Sequence, residues 1–189
     1  MGAAPVLSAV WRERNARWGP EDDAYTYEGG GSPLDRVDVF VYRADQKTAM
    51  TTFATIGMAA REMPGGGRAE LHFTVRGPVP REVEGATATQ LANLASYPWN
   101  PGGTTGLGWG HMVSLPTDFP GFPGCSAVLL SGPLTADGWD WIDAGAERVR
   151  VLNVIPITEA ERSLGREYPP EIFLAELMSR TDVHSPRPI

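Results

Sequence analysis

RAELHFTVR, residues 68–76, sets the reading of this chain. Ala69, Leu71, Phe73 and Val75 alternate with Arg68, Glu70, His72, Thr74 and Arg76. Strict period-two alternation predicts a β-strand with one face buried and the other polar. The stretches on either side supply partners for it. Upstream, RVDVFVYR (36–43) is rich in β-branched and aromatic residues, and MTTFATIGM (50–58) reads as a strand closing at Gly57. Downstream, CSAVLLS (125–131) is continuously apolar, which predicts a strand covered on both faces. ERVRVLNVIPI (147–157) is a further strand, with Pro156 near its end, where a missing amide donor does least harm.

Helices fall between and after these strands. Pro5 suits the first turn of an opening helix, with Leu7, Val10, Trp11 and Trp18 on one side. A second helix spans about residues 81–97, with Val83, Thr87, Leu91 and Leu94 along a stripe and Pro98 ending it. Thr158 and Glu161 have the spacing of a capping box, so a helix should begin there. PPEIFLAELMSR (169–180) predicts a last helix, with Phe173, Leu174, Leu177 and Met178 facing the core. GPEDDAYTYEGGGSP (19–33) reads as a loop, and residues 181–189 as a loose tail. The fold class is α+β: one domain over residues 1–189, built on a mostly antiparallel or mixed sheet with helices packed on one side.

Composition narrows the function. The chain carries 16 Lys+Arg against 23 Asp+Glu, a net charge of −7. That argues against direct nucleic-acid binding, which concentrated basic charge drives. It suits a basic protein partner, whose approach an acidic field would steer, though the same acidity also serves simple solubility. Cys125 is the only cysteine, so no internal disulfide forms. The N-terminus lacks the pattern of a signal peptide, and no apolar run reaches membrane-spanning length. Gly2 is followed by Val6 where a myristoylation motif wants Ser or Thr. The expectation is a cytoplasmic, soluble protein without membrane contact.

The segment WNPGGTTGLGWGHMVSLP (99–116) invites comparison with phosphate-binding loops and fails it. A P-loop needs a lysine after its last glycine, and the chain's one lysine is Lys47. A dinucleotide fingerprint would put glycine where His111 stands. His72, His111 and His184 are far apart in sequence and belong to no metal-binding motif, so neither cofactor nor metal is expected. Ser126 lacks the closing glycine of a nucleophile elbow. Cys125 heads an apolar strand, where a free thiol behaves as a small hydrophobe, although a Cys125–His111 pair stays open. DGWDWID (137–143) offers Trp139 and Trp141 with Asp140 and Asp143, a set that suits sugar or small-ligand binding or glycoside hydrolysis. Aromatics at the edge of a small core explain it as well. Trp109 and His111, on a glycine-stiffened loop, are candidates for contact with a protein partner, as are Trp99, Glu70 and His72.

Taken in order, several segments resemble the suppressor of fused-like family. They are TTFATIGMAAREM, RAELHFTV, LANLASYPW, TTGLGWGHMVSLP, AVLLSGPL and VLNVIPITEAE, together covering roughly residues 45–165. The family often has an aromatic directly before the L-G pair of its glycine loop. Here Gly106 stands there and Trp109 follows. The resemblance implies a non-enzymatic protein-interaction domain. Its animal relative restrains a zinc-finger transcription factor by holding a short peptide as an added strand. Bacterial stand-alone relatives are associated with immunity to polymorphic toxins. The arginine-rich, lysine-poor composition points to a high-GC bacterial gene, so the resemblance favours an immunity-type inhibitor of a basic toxin. Sequestration of a transcription factor is a further reading.

Overall fold

The structure, a computed structural model, describes residues 5–29, 33–101 and 105–188. Part of the glycine loop (102–104) and part of the glycine-rich turn near residue 30 lie outside them, as do Gly2 and residue 189. The elements run α1 (Pro5–Trp18), β1 (Asp23–Glu28), β2 (Arg36–Tyr42), β3 (Met50–Ile56), β4 (Arg68–Arg76), α2 (Arg81–Ser96), β5 (Met112–Ser114), β6 (Ala127–Ser131), β7 (Trp141–Ala144), β8 (Glu147–Ile157), α3 (Glu159–Gly165) and α4 (Pro170–Arg180). Single 3-10 turns at Met58–Ala60 and Tyr97–Trp99 complete the described set.

One eight-stranded mixed sheet carries the fold, in the order β1-β2-β3-β4-β8-β6-β5, with β7 paired to the start of β8. Every pairing is antiparallel except β4–β8, where Arg68 lies opposite Val149 and His72 opposite Asn153. β8 is therefore a hub, with β4 along one edge and β7 then β6 along the other.

Helices cover both faces of this sheet, and the alternation of β8 shows how. Leu152 and Val154 join a cluster with Leu91 and Leu94 of α2 and with Phe53, Leu71 and Phe73. Val149 and Val151 point the other way, to Val6 and Val10 of α1. Ile155 and Ile157 share that second face and meet Phe173, Leu174 and Leu177 of α4. Each such side chain, once fully buried, contributes about 1.5–3 kcal/mol. The expectation of helices on one side is thus corrected, because a nearly continuous apolar β8 requires cover on both sides.

Several local expectations change with it. Helix α1 buries Val6, Ala9, Val10 and Arg14, while Trp11 is left 46% exposed. In α4, Met178 is exposed, although Phe173, Leu174 and Leu177 are buried as expected. Residues 23–28 form an edge strand rather than a loop, anchored where Tyr25 donates to Glu84 and Tyr27 meets Thr89 on α2. The C-terminal stretch is docked rather than loose. Arg76 N donates to the His184 carbonyl, Val183 is buried, and Arg187 pairs with Glu161 at 2.9 Å. The capping box of α3 forms as its spacing predicts, with Glu161 N donating to Thr158 Oγ1 and Thr158 N to the Glu161 carboxylate.

Candidate functional site

The second half of the glycine loop is fixed by its own backbone. Gly108 N donates to His111 Nδ1 at 3.1 Å and His111 N donates to the Gly108 carbonyl, closing a tight turn. Gly110 N and the His111 carbonyl then pair with both polar groups of Leu130, tying the loop to β6. Gly110 has φ +89°, and a Cβ there would overlap the ring of Pro170 at the start of α4. Only glycine satisfies both demands. His111 is exposed and holds the turn through Nδ1, while Trp109 projects with 46% of its surface in solvent. The His111 imidazole and the Cys125 thiol make no hydrogen bond, and burial pushes Cys125 up to about 11, away from thiolate chemistry.

Trp109 has neighbours that loop geometry alone did not reveal. A Cβ on Gly132 would sit 3.8 Å from the Trp109 ring and 3.9 Å from Arg150 Nη2, so these two side chains flank the same glycine. Arg150 in turn lies over Trp141, 4.6 Å from its ring centroid, and Arg148 lies over the same ring at 4.8 Å. The β7–β8 hairpin makes this stack, since its register sets Trp141 opposite Arg150 and Asp143 opposite Arg148. The result is an aromatic and guanidinium face with Trp109 at one end. Asp140 pairs with Arg150 at 2.8 Å, and Asp143 with Arg148 at 3.2 Å. Each carboxylate is thus matched to its own arginine. A signal for this face was present in sequence: two alternating runs, WID and ERVR, separated by Ala144, Gly145 and Ala146.

Trp99 serves a different place. Its Nε1 donates to the Glu62 carbonyl, Arg61 lies 5.7 Å from its ring, and the ring packs on the main core.

Glu70 and His72 are buried, which corrects the expectation of a solvent-facing polar side on β4. Arg14 of α1 closes over them. It donates to the Thr55 carbonyl and, at 3.0 Å, to His72 Nε2. Glu70 accepts from Thr55 Oγ1 at 2.6 Å and from the amides of Gly57 and Ala59 at 2.9 and 3.0 Å. Burial raises the Glu70 pKa, opposed by the Arg14 charge and by these donors. Burial also holds His72 well below the ordinary imidazole value, reinforced by the charges of Arg14 and Arg17. Glu70 and His72 therefore belong to an internal network beneath α1.

Among the described residues no group of three or more His, Cys, Asp or Glu side chains could hold a metal ion, and no helix is long and apolar enough to cross a membrane.

Sheet, helices and site together define a single α+β domain that holds an exposed aromatic loop against a mixed sheet. The chain belongs to the suppressor of fused protein (SUFU) family, whose model matches residues 33–187. No curated protein gives a significant sequence match. Among solved structures, the crystal structure of the Sufu–Fu complex has a chain that matches with TM-score 0.69 at 16% identity, covering 95% of this chain and 85% of that one. Drosophila Suppressor of Fused matches with TM-score 0.68 at 16% identity over 95% of this chain, which spans 47% of that larger protein. A SUFU homolog from Neisseria gonorrhoeae FA 1090 matches with TM-score 0.67 at 15% identity, covering 94% of this chain and 92% of the other. At these identities the likeness carries the fold.

Proposed function

We propose that this protein is a non-enzymatic protein-interaction domain that docks a partner on the face of Trp109, Trp141 and Arg150. The observation that carries the reading is Trp109, a large apolar side chain held 46% exposed on a loop locked by Gly110 against Pro170. Exposed Trp and Arg on a rigid frame are the residue types that dominate binding energy at protein interfaces. A preorganised loop also loses little freedom on binding. The Sufu–Fu complex, formed on the same fold, supports a protein as the partner.

The partner we favour is a basic toxin, occluded by this domain acting as an immunity-type inhibitor. Support comes from the net charge of −7, which would speed encounter with a cationic target. Sequestration of a transcription factor is consistent with the family but has no observation of its own. A glycosidase reading draws no support from Asp140 and Asp143, each held by a separate arginine.

The test is capture from the native host with tagged protein at low and high salt, read by mass spectrometry, with Trp109→Ala alongside. A basic partner retained at low salt, released at high salt and lost with Trp109→Ala is the expected result. A partner retained equally by Trp109→Ala would remove the proposed face, and salt-insensitive capture would remove the electrostatic part.

A further inference from the structure

On the opposite side of β8 from the Trp141–Arg150 stack, a cleft of about 250 Å³ opens over the β4–β8 pair. It lies where the two clusters on that face part. Val149 and Val151 pack on α1, Ile155 and Ile157 pack on α4, and Asn153 between them lines the cleft. Its room equals that of about eight liquid water molecules, enough for one small ring with a polar substituent.

Three features indicate what it would hold. The first is a donor. An arginine side chain can only donate, so the 3.0 Å contact from Arg14 makes His72 Nε2 an acceptor. The ring proton then resides on Nδ1. His72 lines the cleft, is only 4% exposed, and Nδ1 has no partner among the described residues. A donor left open in a cleft wall is free for an acceptor that enters it. The second is an aromatic corner. Trp18 lies 5.0 Å from His72 and 5.3 Å from Trp139, and the last two lie 6.0 Å apart, so the rings form adjoining walls. The third is charge. No carboxylate is among the lining residues. Arg17, exposed at the mouth, lies over Trp139 at 4.7 Å, donates to the Asp137 carbonyl and makes no ion pair among the described residues.

We propose that this cleft binds a small planar aromatic carboxylate, its ring against Trp18 and Trp139 and its carboxylate accepting from His72 Nδ1–H and Arg17. The site is separate from the docking face, so it stands or falls without the protein-partner reading.

The experiment titrates the full chain with benzoate, followed by calorimetry and tryptophan fluorescence, with benzamide as the uncharged counterpart. Saturable benzoate binding, at least about tenfold weaker for benzamide, is expected from the charge-assisted contacts. Arg17→Gln, an exposed position, should weaken benzoate about tenfold without moving the melting temperature. Trp139→Leu should weaken both ligands. In nitrogen-15 spectra the His72 Nδ1–H signal should shift on benzoate addition and stay fixed in Arg17→Gln at the same concentration. No saturable signal below about 10 mM benzoate would overturn the proposal, since that is weaker than a charge-assisted site should reach. Equal binding of benzamide, or of benzoate by Arg17→Gln, would overturn it too.

Discussion

Arg14 Nη2 lies 3.0 Å from His72 Nε2, joining the middle of α1 to the central strand of the sheet through two buried basic side chains. The contact holds because the imidazole is neutral, and because Glu70 on the same strand balances the guanidinium. Neither charge has access to water. Helix α1 thus depends on a polar link where the rest of the core relies on apolar packing.

Removing half of that link should be costly. Arg14→Met leaves Glu70 as a buried acid without a compensating cation and frees the Thr55 carbonyl. We expect a loss of about 3–5 kcal/mol in urea unfolding, the usual consequence of leaving a buried charge uncompensated. Adding Glu70→Gln to that variant should recover part of the loss. A double variant no more stable than Arg14→Met would mean that the two charges do not compensate each other.

His72 should make the fold sensitive to mild acid. Its folded-state pKa lies well below the usual value, through burial first and then the charges of Arg14 and Arg17. The unfolded chain takes up this proton near pH 6.5. Below that pH the unfolded state binds more protons, so stability falls as pH drops, by up to about 1.4 kcal/mol per unit; above it the contribution is fully present. Glu70 works in the opposite sense, because its raised pKa lets the folded state take a proton first as pH falls. Comparing wild type with His72→Gln between pH 7.5 and 5.5 isolates the imidazole. The variant should show the shallower decline, and parallel curves would contradict the assignment.

Gly57 is a second point of fragility. It has φ +138°, and a Cβ there would land on the Arg36 carbonyl oxygen, which cannot yield because it belongs to the adjoining strand. Gly57→Ala should therefore cost more than about 2 kcal/mol, combining backbone strain with overlap. Gly19 also has positive φ, +77°, but nothing stands within 4 Å of its would-be Cβ. Gly19→Ala should lose only about 1 kcal/mol. Thermal melts of the pair check the contrast.

These dependencies mark how far the sequence could be read. The boundaries of β8 and the cap of α3 were legible, because a long apolar run and a T-x-x-E spacing are local signals. The two-sided burial of β4 was not. Its polar positions look solvated until Arg14, far upstream, folds over them, and a long basic side chain on a helix normally signals a wet face. Strand β1 was hidden for a related reason. Short and flanked by turn-formers, it owes its place to Tyr25 and Tyr27 reaching α2. For the candidate site, Trp109 could be picked out from its glycines. Its company could not, because the Trp141–Arg150 pair depends on hairpin register, and the cleft at His72 depends on where two helices part.

The parallel pairing of β4 with β8 also bears on how the chain comes off the ribosome. Strands β1 to β4 follow one another through short connections and can zip together as soon as they emerge. The outer edge of β4 must wait, because the segment between Arg68 and its neighbour Val149 includes α2 and three further strands. Closing so long a segment is entropically slow compared with forming hairpins. Until β8 emerges, Ala69–His72 therefore present an unpaired edge beside exposed apolar residues, the arrangement that attracts chaperones and invites misassociation. The centre of this sheet is the last part of it to be completed.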